Sequence, residues 1–139
     1  MEPFEVQVRR WVEKAGRQAE AAFRATAEDA ATRVKELTPV RTGYLRANWT
    51  AIRPGDAEPV EGRTPPTDEL IARLRLGDKI IILNPVKYAR RVEFGFIGED
   101  SKGRAFSQQG RGMVQQTVKE IPRLAQAATR RIIQGGGDR

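Results

Sequence analysis

The chain contains neither cysteine nor histidine. That excludes disulfides, thiol nucleophiles, ordinary zinc sites and the side chain that most often serves as general base near neutral pH. Serine occurs only at Ser101 and Ser107, with no histidine to activate either, so a hydrolytic triad is excluded. Long apolar runs are missing too, and none approaches the roughly 20 residues a membrane helix requires. The amino-terminal MEPFEVQV is acidic and lacks the basic-then-apolar order of a secretory signal. With nothing directing export, Asn48-Trp49-Thr50 reads as a chance glycosylation triplet. Gly110-Arg111-Gly112 is too short for a phosphate loop. The pairs Asp68-Glu69 and Glu99-Asp100 could bind a divalent ion, although adjacent carboxylates are far more often solvated and such ions need more ligands. These absences point away from an enzyme and imply no metal and no cofactor.

Aromatics are also scarce, at 6%, and much of the 39% hydrophobic share is alanine, which buries little area per residue. A chain of 139 residues supports one modest core, so a single domain is expected over 1–139. Burial against copies or partners would add what that core lacks. The balance of 25 basic against 18 acidic residues leaves +7. Such a surplus suits nucleic acid or acidic protein surfaces, although an arginine-rich solvated surface gives the same count.

The organising stretch is KIIILNPVKYARRVEFGF, residues 79–96. Four consecutive apolar residues, Ile80 to Leu83, predict a buried strand, and Asn84-Pro85 ends it because proline has no N–H for the ladder. Val86, Ala89 and Val92, with Phe94 nearby, then fall on one face of a short helix, with Gly95 as its stop. Lys87, Arg90 and Arg91 lie off that face.

Upstream, residues 4–37 predict one helix of about 50 Å. Val8, Trp11, Ala15, Ala19, Ala22, Ala30, Val34 and Leu37 recur at three- and four-residue steps, with Phe23 beside them. Its stripe would lie across the chain's own sheet or also meet neighbouring subunits. Thr38-Pro39 ends it. Leu45, Ala47, Trp49 and Ala51 alternate with polar residues, which predicts a strand over 45–52 paired antiparallel with 80–83; Tyr44 and Trp49 are its large core candidates. Residues 53–67, with four prolines and two glycines, predict an exposed loop. Thr67 resembles an N-cap for a short helix to Leu76. Residues 95–112 hold five glycines and few apolar side chains, which predicts a flexible loop with a short strand at most near 104–107. A closing helix runs from Met113 to Ile133, with Val114, Val118, Ile121, Ala125, Ala128 and Ile132 on one face and Pro122 kinking or dividing it. Residues 134–139 are expected to fray. The fold class is α+β: a long N-terminal helix, a small antiparallel sheet, a short helix after the central strand and a C-terminal helix.

The order of these segments resembles the HK97 gp10-like family of tailed phages. The resemblance rests on TPVRTGYLRANW (38–49) followed by IIILNPVKYARRVEFG (80–95), with helices flanking both. Thr42, Gly43, Leu45 and Trp49 match the first motif; Asn84, Tyr88, Ala89, Val92, Glu93 and Gly95 match the second. The residue types suit structural roles: Gly43 and Gly95 for turns, Tyr88 and Val92 for the core, Glu93 for a polar tie. Two departures stand out, Arg41 where an acidic or polar residue is common, and the long 96–112 segment where a shorter, proline-containing one is usual.

The resemblance implies a structural virion protein made in the bacterial host cytoplasm, a neck or tail-completion protein. It would form a ring of its own copies at the head–tail junction, around the DNA channel. Head-closure, tail-terminator or tail-tube proteins would adjoin it, with no membrane involved. Candidate contacts to a partner or to DNA are Lys87, Arg90 and Arg91 on the short helix and Lys102, Arg104, Phe106 and Arg111 in the glycine-rich segment. No helix-turn-helix, finger or aromatic stacking platform accompanies them, which favours acidic protein partners. The alternative is a basic, non-sequence-specific DNA-binding accessory protein in packaging.

Overall fold

A computed structural model describes residues 2–99 and 102–135, with only the backbone at Phe106. The expected frayed tail therefore lies outside the described residues beyond Gly135. In chain order the elements are α1 (Phe4–Glu36), α2 (Tyr44–Ala47), β1 (Thr50–Ile52), α3 (Thr67–Ala72) and β2 (Ile81–Leu83). They are followed by α4 (Ala89–Phe94), β3 (Gly95–Glu99), β4 (Ala105–Gln109) and α5 (Met113–Gln134). The class is α+β, with two two-stranded antiparallel sheets, β1–β2 and β3–β4.

Helix α1 is unbroken for 33 residues because alanine, glutamate and arginine dominate it. It packs mainly on α5, and the two helices run antiparallel: Arg33 meets Glu120 while the earlier Asp29 meets the later Arg131. The Arg33–Glu120 contact is bidentate, with Nε 3.0 Å from Oε1 and Nη2 3.1 Å from Oε2. Gln116 and Arg123 also donate to Glu120. These donors hold its carboxyl far below the usual 4.5, at about 2, the Arg33 contact contributing most.

One core cluster joins Val34, Leu45, Trp49, Val86, Val92 and Met113. A second joins Ala27, Ala31, Ile71 and Leu74, with Phe23, Ile80 and Ile82 packed against it. Pro122 sits within α5 without ending it.

Several expectations change. The alternation over 45–52 forms a helical turn and only three strand residues. Leu45 and Trp49 are both buried because a spacing of four residues brings them to the same side in a helical turn, as it would in a strand. The antiparallel partner is as expected, with Thr50 opposite Leu83 and Ile52 opposite Ile81. The central strand is shorter and less covered than predicted: Ile81 is 43% exposed, since its side chain lines an open groove and no further layer covers it. Tyr44 and Tyr88, expected in the core, are exposed at 39% and 44%, and Phe94 points out from α4. Helix α3 stops at Ala72, and its N-cap is Pro66 rather than Thr67.

The 95–112 segment is a β-hairpin where a loop was expected. Gly95 pairs with Gln109 and Glu99 with Ala105. Its base is possible because Gly95 (φ +86°) and Gly110 have no side chains: a Cβ on Gly95 would lie 2.6 Å from the Gln108 carbonyl oxygen. The glycines that made the segment look disordered are there to let two backbones cross.

Two apolar faces stay open. Every buried residue of α1 lies between Ala22 and Val34, whereas Phe4, Val8, Trp11 and Val12 ahead of them are exposed. The α5 residues Val114, Val118 and Ile121, expected on a packed face, instead line a groove of about 620 Å³ with Phe23, Ala30 and Ile81.

Candidate functional site

The two sequence motifs, separated by 30 residues of chain, are bound to one another. Gly43, at φ +83°, turns the chain into α2, a conformation other residues seldom adopt. Thr42 Oγ1 accepts the Tyr44 N–H at 3.3 Å. Asn84 then spans the motifs: its Nδ2 donates to the Leu45 carbonyl at 2.7 Å, and its Oδ1 accepts the Val86 N–H at 3.1 Å. Trp49 is buried and donates through Nε1 to Thr38 Oγ1 at 2.8 Å, so the indole has a polar partner as well as a core position. Thr38 in turn donates to the Val34 carbonyl, which ties α2 to the end of α1.

Glu93 links the second motif to α5. It is 7% exposed, and its carboxylate accepts the Val114 and Gln115 N–H groups at 2.8 and 3.1 Å. Those are among the first-turn amides that a helix leaves without internal acceptors, so the acid caps α5 and meets the positive end of its dipole. The Glu93 carbonyl accepts Gly112 N–H, and the Val92 carbonyl accepts Arg111 N–H at 2.7 Å. Ala89 packs beside Val92 in the first core cluster.

Along the seam between the motifs lies a cleft of about 670 Å³. Arg41 and Thr42 come from the approach to α2, Tyr88 and Arg91 from α4 and its cap, and Gln108 and Arg111 from the base of the hairpin. Arg91 stacks over Phe96, 4.1 Å from the ring centroid, which fixes its plane without using its donors. Among the described residues, none of Arg41, Arg91 and Arg111 pairs with a carboxylate. Three guanidiniums with donors to spare suit carboxylate or phosphate oxygens. On the rim, Tyr44 approaches Gly62, and burial followed by the charge of Glu61 pushes its hydroxyl pKa up.

The contact residues expected from sequence divide into separate places. Arg91 and Arg111 meet in the cleft. Arg90 lies over Phe94 on the other side of α4, 5.7 Å from the ring centroid, and Lys87 precedes the helix on the surface. Lys102 and Arg104 sit at the far end of the hairpin, about 17 Å from its base at ~3.4 Å per strand residue. The backbone of Phe106 pairs with Gly98. Arg41 was not among those contact residues; its signal was that it departs from the family pattern beside the Thr42-Gly43 turn. Phe96 left no signal, since stacking under Arg91 depends on the hairpin.

Among the described residues, no group of acidic side chains is arranged to hold a metal, and no helix is long and apolar enough to cross a membrane. In comparison with known families, residues 2–95 match the model described as Bacteriophage HK97-gp10, tail-component. The match takes in α1 and both motifs and ends where the hairpin starts. No curated protein and no solved structure matches the chain.

Proposed function

This chain belongs to the HK97 gp10-like family of bacteriophage tail components, and we propose that it serves in the virion as a homo-oligomeric ring at the head–tail junction, around the DNA channel. The observation that carries the reading is the pair of open apolar faces, on the first half of α1 and in the groove beside α5. Phe4 and Trp11 are 80% and 71% exposed, an arrangement that suits an assembly subunit better than a free monomer. The basic cleft supports contact with acidic patches of the adjoining neck or tail proteins, where planar guanidiniums fix orientation as well as affinity.

The same cleft favours a second reading, in which Arg41, Arg91 and Arg111, with Lys102 and Arg104 at the hairpin tip, touch phosphates of DNA passing through the junction. That contact would be independent of sequence and would weaken steeply with salt. Images of purified particles test the primary reading. A ring at the junction whose density accommodates the 33-residue helix is the expected result. A location elsewhere in the particle, or absence from it, would overturn the reading. Binding of duplex DNA by the monomer, abolished by moderate salt, would favour the second.

A further inference from the structure

We infer that the exposed first half of α1 is the ridge that fills the groove beside α5 on the next copy, so that one contact, repeated head to tail, builds the assembly. The inference rests on the ring reading above and names the surfaces that would make it.

Both halves of the contact are on the page. Phe4, Val8, Trp11 and Ala15 are spaced by four, three and four residues, which places them along one side of a helix. The three large ones are exposed, and no residue of α1 before Ala22 is buried. The groove is lined by Phe23, Ala30, Ile81, Val114, Val118 and Ile121, among others, with no titratable side chain in its lining. It therefore suits an apolar ridge, and the two hydroxyls in its lining, Thr26 and Thr117, already donate to carbonyls of their own helices.

The ridge cannot fill the groove of its own molecule. Phe23, Ala27 and Ala30, which form one wall, belong to the same continuous helix, and a helix does not fold back on itself within a few turns. A ridge that fills this groove therefore belongs to another copy. The hairpin is the weaker rival, because Ile97 is the one large apolar side chain described as exposed on its strands.

Area agrees with this choice. Two aromatics at about 150–250 Å² each, the valines beside them and a matching share of groove come to about 1,000 Å², near the lower bound for a specific interface. Every copy would make the contact twice, once with its ridge and once with its groove. Such a heterologous contact closes into a ring when the rotation per copy divides a full turn.

The natural absence of cysteine makes the test direct. A chain carrying both Val8→Cys and Val118→Cys, treated with a short bis-maleimide, should give a ladder of linked dimers, trimers and higher species. A mixture of the two single variants should stop at dimers. In parallel, Trp11→Glu and Val118→Glu should each reduce the chain to monomer in light scattering. Mixed one to one they should recover dimers, because one intact ridge and one intact groove remain. A protein that self-associates but gives no ridge-to-groove links, or links Val118→Cys to Ile97→Cys instead, overturns the inference while leaving a ring standing. Self-association of Val118→Glu alone would indicate a ridge-to-ridge contact and also overturn it. A chain that stays monomeric at its highest soluble concentration overturns it as well, with the ring then judged on particle images alone.

Discussion

The two halves of α1 obey the same spacing rule and have opposite surroundings. From Ala22 to Val34 the inward residues are mostly alanines, closely covered by α3 and α5 and secured by Arg33–Glu120 and Asp29–Arg131. From Phe4 to Val12 the corresponding face carries two aromatics and two valines with nothing over them. Small side chains let helices of one chain approach closely, whereas large ones on the open half hold the area that a separate body can bury. The difference teaches that periodicity identifies a buried face without saying which molecule buries it.

The largest effect should separate the two tryptophans. Trp49→Ala empties the first core cluster and removes the donor to Thr38, at an expected cost of about 3–5 kcal/mol in urea melts. Next, Glu93→Ala strips two first-turn amides of α5 of their acceptor and should cost about 1–2 kcal/mol, with faster hydrogen exchange at Val114 and Gln115. Ile81→Asp, which would be severe in a fully buried strand, should cost only about 1 kcal/mol in the monomer, because the side chain is part-exposed at the groove. A loss of several kcal/mol there would mean that the groove is closed in solution.

Acid should loosen the packing of the covered half. The folded-state pKa of Glu120, about 2, lies below its ordinary 4.5. Its contribution is therefore fully present above pH 4.5 and is lost as the pH falls toward 2. Glu120→Gln should flatten the stability profile across that window, measured by thermal melts at stepped pH. A wild-type profile already flat there would sever the link between this ion pair and helix packing. The smallest effect on the fold belongs to Trp11→Ala, within about 0.5 kcal/mol in the monomer because the ring touches little of its own chain.

Much of the fold was legible. The limits of α1 follow from composition and from Thr38-Pro39, and the strand, corner and short helix ending at Gly95 follow from local chemistry. Pairing of 50–52 with 81–83 followed from the apolar pattern. What was hidden depended on contacts distant in sequence. Leu45 and Trp49 satisfy a strand or a helical turn equally, and the turn is held by distant partners such as Asn84, which donates to the Leu45 carbonyl. The hairpin was masked by its glycines, whose purpose appears where Gly95 and Gly110 cross. The cleft joins Arg41, Arg91 and Arg111 from three segments, and no spacing rule brings those numbers together.

Hydrogen exchange along α1, in the free chain and in assembled particles, tests the central claim most directly. Residues 20–36 should be protected in both states, because their cover is intramolecular. Residues 4–16 should exchange quickly in the free chain and become strongly protected on assembly. Unchanged, rapid exchange of residues 4–16 in assembled particles would contradict the account, as would protection of that segment already equal to the rest of the helix in the free monomer.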